Sequence, residues 1–247
     1  MIACALTDIG QRRDTNQDHV FCQKSPVGNL PNLFMVADGM GGHKAGEYAS
    51  AFAIECFLRS AETDTGNNPI TIMNRGVQAA NQQILMKARS EKEYEGMGTT
   101  LVMACLEGNT LFVSNIGDSR LYVINEDIYQ ISRDHSLVEE LVSQGKLERD
   151  SEAYYEQKNI ITRAVGIKEQ VSADFFEVEL ECGDVVLLCS DGLTNMVSDE
   201  RIAEMVKSEP DLPSLAEDLI REANENGGKD NISVVLIRPE ENEVAVC

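Results

Sequence analysis

The sequence predicts an α+β fold: a four-layer αββα sandwich, with two stacked antiparallel sheets each flanked by a helix pair. Three observations lead there. Helical periodicity comes in consecutive pairs, one pair within 45–89 and one within 198–226, instead of alternating with strands. That order argues against a doubly wound parallel sheet. Most strand candidates follow one another through short turns, as antiparallel strands do. Runs such as Val185-Val186-Leu187-Leu188-Cys189 and Ile232-Ser233-Val234-Val235-Leu236-Ile237 are apolar on both faces, as strands covered on both sides must be.

In chain order, Ile2–Thr7 and Val20–Gln23 are short strands, and the apolar run Phe34–Ala37 is a buried strand that stops at Asp38. Ala45, Tyr48, Ala49, Phe52 and Cys56 share one face of a helix. Asn68-Pro69 opens a second helix, with Asn as cap and Pro in the first turn, running to about Arg89. Strands return at Thr99–Leu106, Thr110–Ile116, Leu121–Ile124 and Ile128–Ile131, and Ser136 to Glu139 form a capping box for a short helix. Residues 145–168 are polar and poorly periodic, which predicts a mobile segment. Strands at Val171–Leu180 and Asp184–Ser190 precede helices starting at Ser198 and Ser214, the latter ending at Gly227-Gly228. Without a repeat or linker, residues 1–247 read as a single domain.

Composition excludes several functions. The 247 residues are 43% hydrophobic and carry a formal net charge of −21, which repels nucleic acid and anionic membrane. No basic cluster is present. No apolar run approaches the roughly 18–20 residues that cross a bilayer. The N-terminus lacks a basic region and meets Asp8 too early for a signal peptide. Seven cysteines without a CxxC motif read as buried thiols of a reducing, cytoplasmic compartment.

The chemistry is carried by aspartates at strand boundaries. Asp38-Gly39, Gly117-Asp118 and Asp191-Gly192 each follow an apolar run, and Asp230 precedes the last strand. Asp-Gly is also ordinary turn chemistry, but three strands with the same ending are hard to assign to turns alone. If the last strand runs antiparallel to the one before Asp191, Asp38, Asp118, Asp191 and Asp230 meet at one rim. Carboxylates so close repel unless compensated. Mg²⁺ or Mn²⁺ provides that compensation through oxygen ligands, whereas His19, His43 and His135 offer no zinc spacing. Asp18 is a fifth acid, alone no more than a solvated loop residue. Arg13 suits a phosphate, because its guanidinium grips oxygens bidentately; a surface ion pair is the alternative.

Taken in order, Thr7-Asp8-Ile9-Gly10, Arg13, Asn16-Gln17-Asp18, ADGMGGH at 37–43, GMGTT at 96–100, NIGDSRLY at 115–122, RDHSL at 133–137, NIITRAVG at 159–166, CSDGL at 189–193 and DNISVVL at 230–236 resemble the metal-dependent (PPM, type 2C) protein serine/threonine phosphatases in their compact bacterial form. The resemblance spans nearly the whole chain and implies the αββα sandwich with a dinuclear Mn²⁺/Mg²⁺ site. It implies that Asp38 bridges two metals, that the Gly39 carbonyl binds the second, that Asp191 and Asp230 complete the first, and that Asp18 holds metal-bound water. Arg13 would bind phosphate, and Asp118 with Asp191 would form a third, weaker metal site. Animal members carry a histidine where Met40 stands, which leaves His43 as the local candidate for a general acid. Residues 145–168 resemble the flap beside the active site, with Tyr155-Glu156-Gln157-Lys158 where a His-Pro is usual.

The expected function is hydrolysis of phosphoserine and phosphothreonine in proteins, by in-line attack of a water bridging the metals, reversing a serine/threonine kinase. A monomer acting on phosphoproteins, with no nucleic acid or membrane partner, is expected. The alternative is a catalytically silent sandwich that serves as a regulatory binding module. Asp134 and Ser136 are expected to cap the short helix, and Thr99-Thr100 to belong to core strand structure.

Overall fold

The computed structural model describes residues 1–42, 44–149 and 151–240. One sheet is built from β1 (Ile2–Asp8), β7 (Arg120–Ile124), β8 (Ile128–Gln130), β10 (Val185–Cys189) and β11 (Ile232–Arg238), in the order β1-β11-β10-β7-β8. The other contains β2 (Asp18–Gln23), β3 (Leu33–Met40), β5 (Leu101–Glu107), β6 (Thr110–Ile116) and β9 (Asp174–Glu179) in the order β2-β3-β5-β6-β9, with β4 (Gly98–Thr99) pairing the end of β3. Among the described residues every strand pairing is antiparallel.

Strand alternation explains the layering. On β3, Leu33, Met35 and Ala37 pack with α1 (Ala45–Thr63) and α2 (Pro69–Ser90), while Phe34 and Val36 enter the core between the sheets. On β10 and β11, Leu187, Cys189, Val234 and Leu236 face the other helix pair, and Val186, Leu188, Val235 and Ile237 face the inter-sheet core. These side chains are fully buried on both faces. Each of the Val, Leu, Ile, Phe and Met side chains among them contributes about 1.5–3 kcal/mol by leaving water, so this double burial decides the four-layer arrangement. The second helix pair is α6 (Asp199–Ser208) and α7 (Leu212–Glu225). Shorter helices are α3 (Leu137–Ser143), α4 (Glu152–Gln157) and α5 (Asp191–Thr194).

Several boundaries differ from expectation. β3 does not stop at Asp38 but continues to Met40, because Gly39 and Met40 find partners in Thr99 and Gly98. Asp18 is not a loop residue: it starts β2 and is 3% exposed. α7 is capped by Asp211, whose side chain accepts from the Ser214 amide, so the helix begins before Pro213. Ser136 caps α3 as predicted, but Asp134 grips Arg120 instead. Residues 145–168 include the helix α4. Cys56, Cys105 and Cys189 are buried free thiols, and Cys4 and Cys22 are partly buried ones. Cys182 departs from the thiol reading, being exposed and disulfide-bonded. Cys247 and the candidate acid His43 lie outside the described residues.

Candidate active site

Two sheet registers bring the acids together. β2 pairs with β3 so that Asp18 stands opposite Asp38. In the other sheet, β10 and β11 are antiparallel, which places Asp191, just after β10, at the same rim as Asp230, just before β11. Asp118 sits in the connection from β6 to β7, where the chain passes from one sheet to the other. Ser190 ties the sheets at this rim. Its hydroxyl accepts from the Ser233 amide (3.0 Å) and donates to Asp18 Oδ2 (2.6 Å).

The backbone around Asp38 is held tightly. Its amide donates to Thr100 Oγ1, and its carbonyl accepts from the Thr100 amide and the Thr99 hydroxyl, each at 2.9 Å. Thr99 is thus a buried strand residue, as expected, whereas Thr100 is buried in the break between β4 and β5; both hold the backbone of an acid. Gly39 is required by close approach: a Cβ there would lie 2.0 Å from the Gly46 carbonyl oxygen.

The electrostatics match a carboxylate nest. Burial pushes the Asp18 carboxyl up to about 7, with Asp191 and Asp230 adding to the rise against the Ser190 hydrogen bond. Asp38 is held well above the usual range of carboxylates by burial first, and then by Asp18, Asp191, Asp118 and Asp230 together. Burial also raises Asp118 well above that range, helped by Asp191, and raises Asp191 to about 6, helped by Asp230. Asp18 Oδ1, Asp118 Oδ1 and Asp191 Oδ1 are buried with no hydrogen-bond partner among the described residues. Buried carboxylate oxygens of this kind are costly unless something compensates them. An all-oxygen, multiply anionic donor set fits hard divalent cations. Among the described residues no group of three or more His, Cys, Asp or Glu side chains stands close enough to hold a metal ion by itself. Mg²⁺, which is usually held by one or two carboxylates and keeps several waters, does not need such a group.

Arg13 flanks the nest. Its Nη2 donates to Asp230 Oδ2 at 2.7 Å, and this bond raises the guanidinium above its ordinary value, with Asp38 and Asp191 adding to the rise. Its loop is fastened by Asn231, which donates to the carbonyls of Ile9 (2.9 Å) and Thr15 (3.0 Å) and accepts from the Gln17 amide (2.8 Å). The Gln11 amide donates to the Gly228 carbonyl at 2.8 Å. On the opposite side, a cavity of about 440 Å³ adjoins Asp118 and Asp191, walled by Tyr154, Tyr155 and Lys158 of the flap. Burial lowers the Lys158 ammonium, while Asp191 pulls it the other way.

Sequence reasoning missed the supporting residues Ser190, Asn231, Thr100 and His135. Each is a small polar or histidine residue within a motif, with no periodic signal; only the interleaving of strands shows what it touches.

The comparisons agree with this geometry. The family model for protein phosphatase 2C matches residues 10–236. The serine/threonine phosphatase Stp of Listeria welshimeri is 39% identical over 238 residues, covering 94% of this chain and 93% of the relative. The solved structure of the Streptococcus agalactiae serine/threonine phosphatase superposes with a TM-score of 0.89 at 36% identity, covering 97% of this chain and 99% of that one. The catalytic domain of the serine/threonine phosphatase PstP, solved in complex with two manganese ions, gives 0.82 at 35% identity, covering 95% and 96%. The fold and its acid-lined rim define a compact phosphatase of the metal-dependent class. The chain belongs to the protein phosphatase 2C family.

Proposed function

We propose that this chain is a Mn²⁺/Mg²⁺-dependent serine/threonine protein phosphatase, hydrolysing phosphoserine and phosphothreonine in proteins. The single observation that carries the reading is the nest of five aspartates at the shared rim of the two sheets, three of them with orphaned buried oxygens. Asp38, the Gly39 carbonyl, Asp191 and Asp230 are the residues assigned to hold two metal ions, with Asp18 behind them. Asp118 with Asp191 is assigned to a third, weaker site. When bound, such ions supply charge neutralisation and an acidified water at neutral pH.

The chain's own part is placement. Arg13 is tethered to Asp230 through Nη2, and its remaining N–H groups are the ones we assign to a phosphate. Asp18 is locked by Ser190 and its own loop, so its free oxygen faces the nest. Among the described residues, neither the thiol nor the hydroxyl at the end of β10 is set up as a covalent nucleophile. The Cys189 thiol is fully buried and pushed far above its usual range by that burial, and the Ser190 hydroxyl already donates to Asp18. A silent binding module would not need Asp18, Asp38, Asp118, Asp191 and Asp230 all retained. No helix among the described residues is long and apolar enough to cross a membrane. We place the enzyme as a monomer in the cytoplasm, opposing a serine/threonine kinase; the acidic charge and the buried free thiols of Cys56, Cys105 and Cys189 are in keeping with that reading.

The test is turnover of p-nitrophenyl phosphate and of a phosphothreonine peptide, with and without Mn²⁺. Activity that needs Mn²⁺ and vanishes in EDTA is expected. Full turnover by the metal-free protein would overturn the reading.

A further inference from the structure

We infer that His135 is a positioning residue for the reaction: its ring fixes the Gly117–Asp118 turn and so the aim of the Asp118 carboxylate. This rests on the reading of Asp118 as a metal-site acid. The Gly117 amide donates to His135 Nδ1 at 3.2 Å, and the His135 amide donates back to the Gly117 carbonyl at 2.9 Å. The Asn115 side chain donates to the same carbonyl at 3.2 Å. Gly117 has φ +106°, and a Cβ there would stand 2.6 Å from the Thr100 side chain, so no other residue can make this turn. Both polar groups of Gly117 are therefore assigned, and one of them depends on an imidazole.

The ring itself is locked. His135 is 5% exposed. With Nδ1 accepting, the ring proton belongs on Nε2, which lies 3.2 Å from Asp174 Oδ2. A carboxylate on one ring nitrogen thus sets the tautomer that the other nitrogen shows to Gly117. Arg163 Nη1 comes within 3.3 Å of Nε2, but both atoms carry hydrogens; it donates to Asp174 Oδ1 at 3.1 Å instead. The His135 carbonyl also accepts from the Thr162 amide at 2.8 Å, joining the return of the flap to the same post. Asp118 Oδ1 is buried without a hydrogen-bond partner among the described residues, and the carboxyl takes a hydrogen bond from the backbone of its own turn, so the turn carries its direction.

Two variants separate the ring's two nitrogens. His135→Asn keeps an acceptor where Nδ1 stands; His135→Gln carries its amide to where Nε2 stands and leaves the Gly117 amide unmet. Three readouts apply: hydrogen exchange of the Gly117 amide in the metal-free protein, the ring tautomer from nitrogen chemical shifts, and kcat against Mn²⁺ concentration. The wild-type ring should be the Nε2–H tautomer. His135→Gln should lose roughly tenfold in Gly117 protection and in kcat, with KM for a phosphothreonine peptide little changed, and His135→Asn should restore most of both. An Nδ1–H tautomer in the wild type, or wild-type Gly117 protection in His135→Gln, overturns the inference. If His135→Gln does not fold, the wild-type tautomer and Gly117 exchange decide alone. Asp118→Asn isolates the premise: wild-type kcat in that variant sinks the reading of Asp118, whereas a damaged Asp118→Asn beside an unaffected His135→Gln sinks only the role of His135.

Discussion

The two flanks of the acid nest are fastened in different ways. The loop that presents Arg13 is bound to the body mainly through its backbone: Asn231 holds three backbone groups of residues 9–17, and Gly228 holds a fourth. The outer part of the flap, around α4, is held to its neighbour α3 through side chains. Tyr154 Oη donates to Glu139 Oε1 (2.9 Å), and Arg149 Nη2 donates to Glu139 Oε2 (2.7 Å). The flap's main-chain ties come where the chain returns: the Leu137 amide to the Ile160 carbonyl (2.8 Å), the Thr162 amide to the His135 carbonyl (2.8 Å), and the Thr99–Val165 pair (3.0 and 2.9 Å). In the proposed function one flank holds a guanidinium in register with the reacting phosphate, where small displacements are costly. The other lines an open cleft through Tyr154, Tyr155 and Lys158, the side we assign to the protein around the phosphate.

The comparison breaks first at its centre. Asp38→Asn or Asp191→Asn should lose several orders of magnitude in turnover of p-nitrophenyl phosphate and in Mn²⁺ affinity by calorimetry, since the charge that offsets the ions is gone. Near-normal Mn²⁺ binding in either variant contradicts the assignment.

Next in size is Arg13. A charge-assisted contact contributes about 1.5–3 kcal/mol, so Arg13→Ala should cost roughly ten- to hundredfold in kcat/KM on a phosphothreonine peptide, mainly through KM. Arg13→Lys should recover part of the loss, because the charge stays and the planar fork is lost. Wild-type kinetics for Arg13→Ala would reduce the residue to a surface partner of Asp230.

A smaller effect is read as stability against pH. The Asp18 carboxyl is raised to about 7 and that of Asp191 to about 6, from an ordinary value of 3.8. Between those values the folded metal-free protein holds protons that the unfolded chain has released, so stability falls as pH rises. These groups' contribution is complete below about pH 4 and lost through pH 6–7. The melting temperature of EDTA-treated protein should fall over this window, and the stabilisation by Mn²⁺ should grow across it, as ions replace protons. Asp18→Asn should flatten the slope; an unchanged slope removes Asp18 as its source.

The smallest effect belongs to the flap. Tyr154→Phe removes one hydrogen bond, worth about 0.5–1.5 kcal/mol. It should leave p-nitrophenyl phosphate turnover unchanged and raise KM for a phosphopeptide a few fold. Equal losses on both substrates would mean that the flank also shapes the chemistry.

The apolar patterning, by itself, determined the sandwich. Strands apolar on both faces and helices in pairs admit few other ways to bury both, and the observed layers match. The aspartates were legible for a related reason: a carboxylate beside a buried strand stands out against what the core accepts. Tertiary structure decided the rest. Asp18 looked like a loop acid because its partner Asp38 lies 20 residues away and becomes its neighbour only through the β2–β3 register. The β3 strand runs past Asp38 because Thr99 and Gly98, distant in sequence, complete its pairing. Ser190 reaches Asp18 across 172 residues, and His135 reaches Gly117 across 18. Hydrophobic burial depends on local alternation along each strand, so it is written in the order of residues. A hydrogen bond needs two atoms about 3 Å apart in a fixed direction, and for residues far apart in the chain only the packed sheets create that distance.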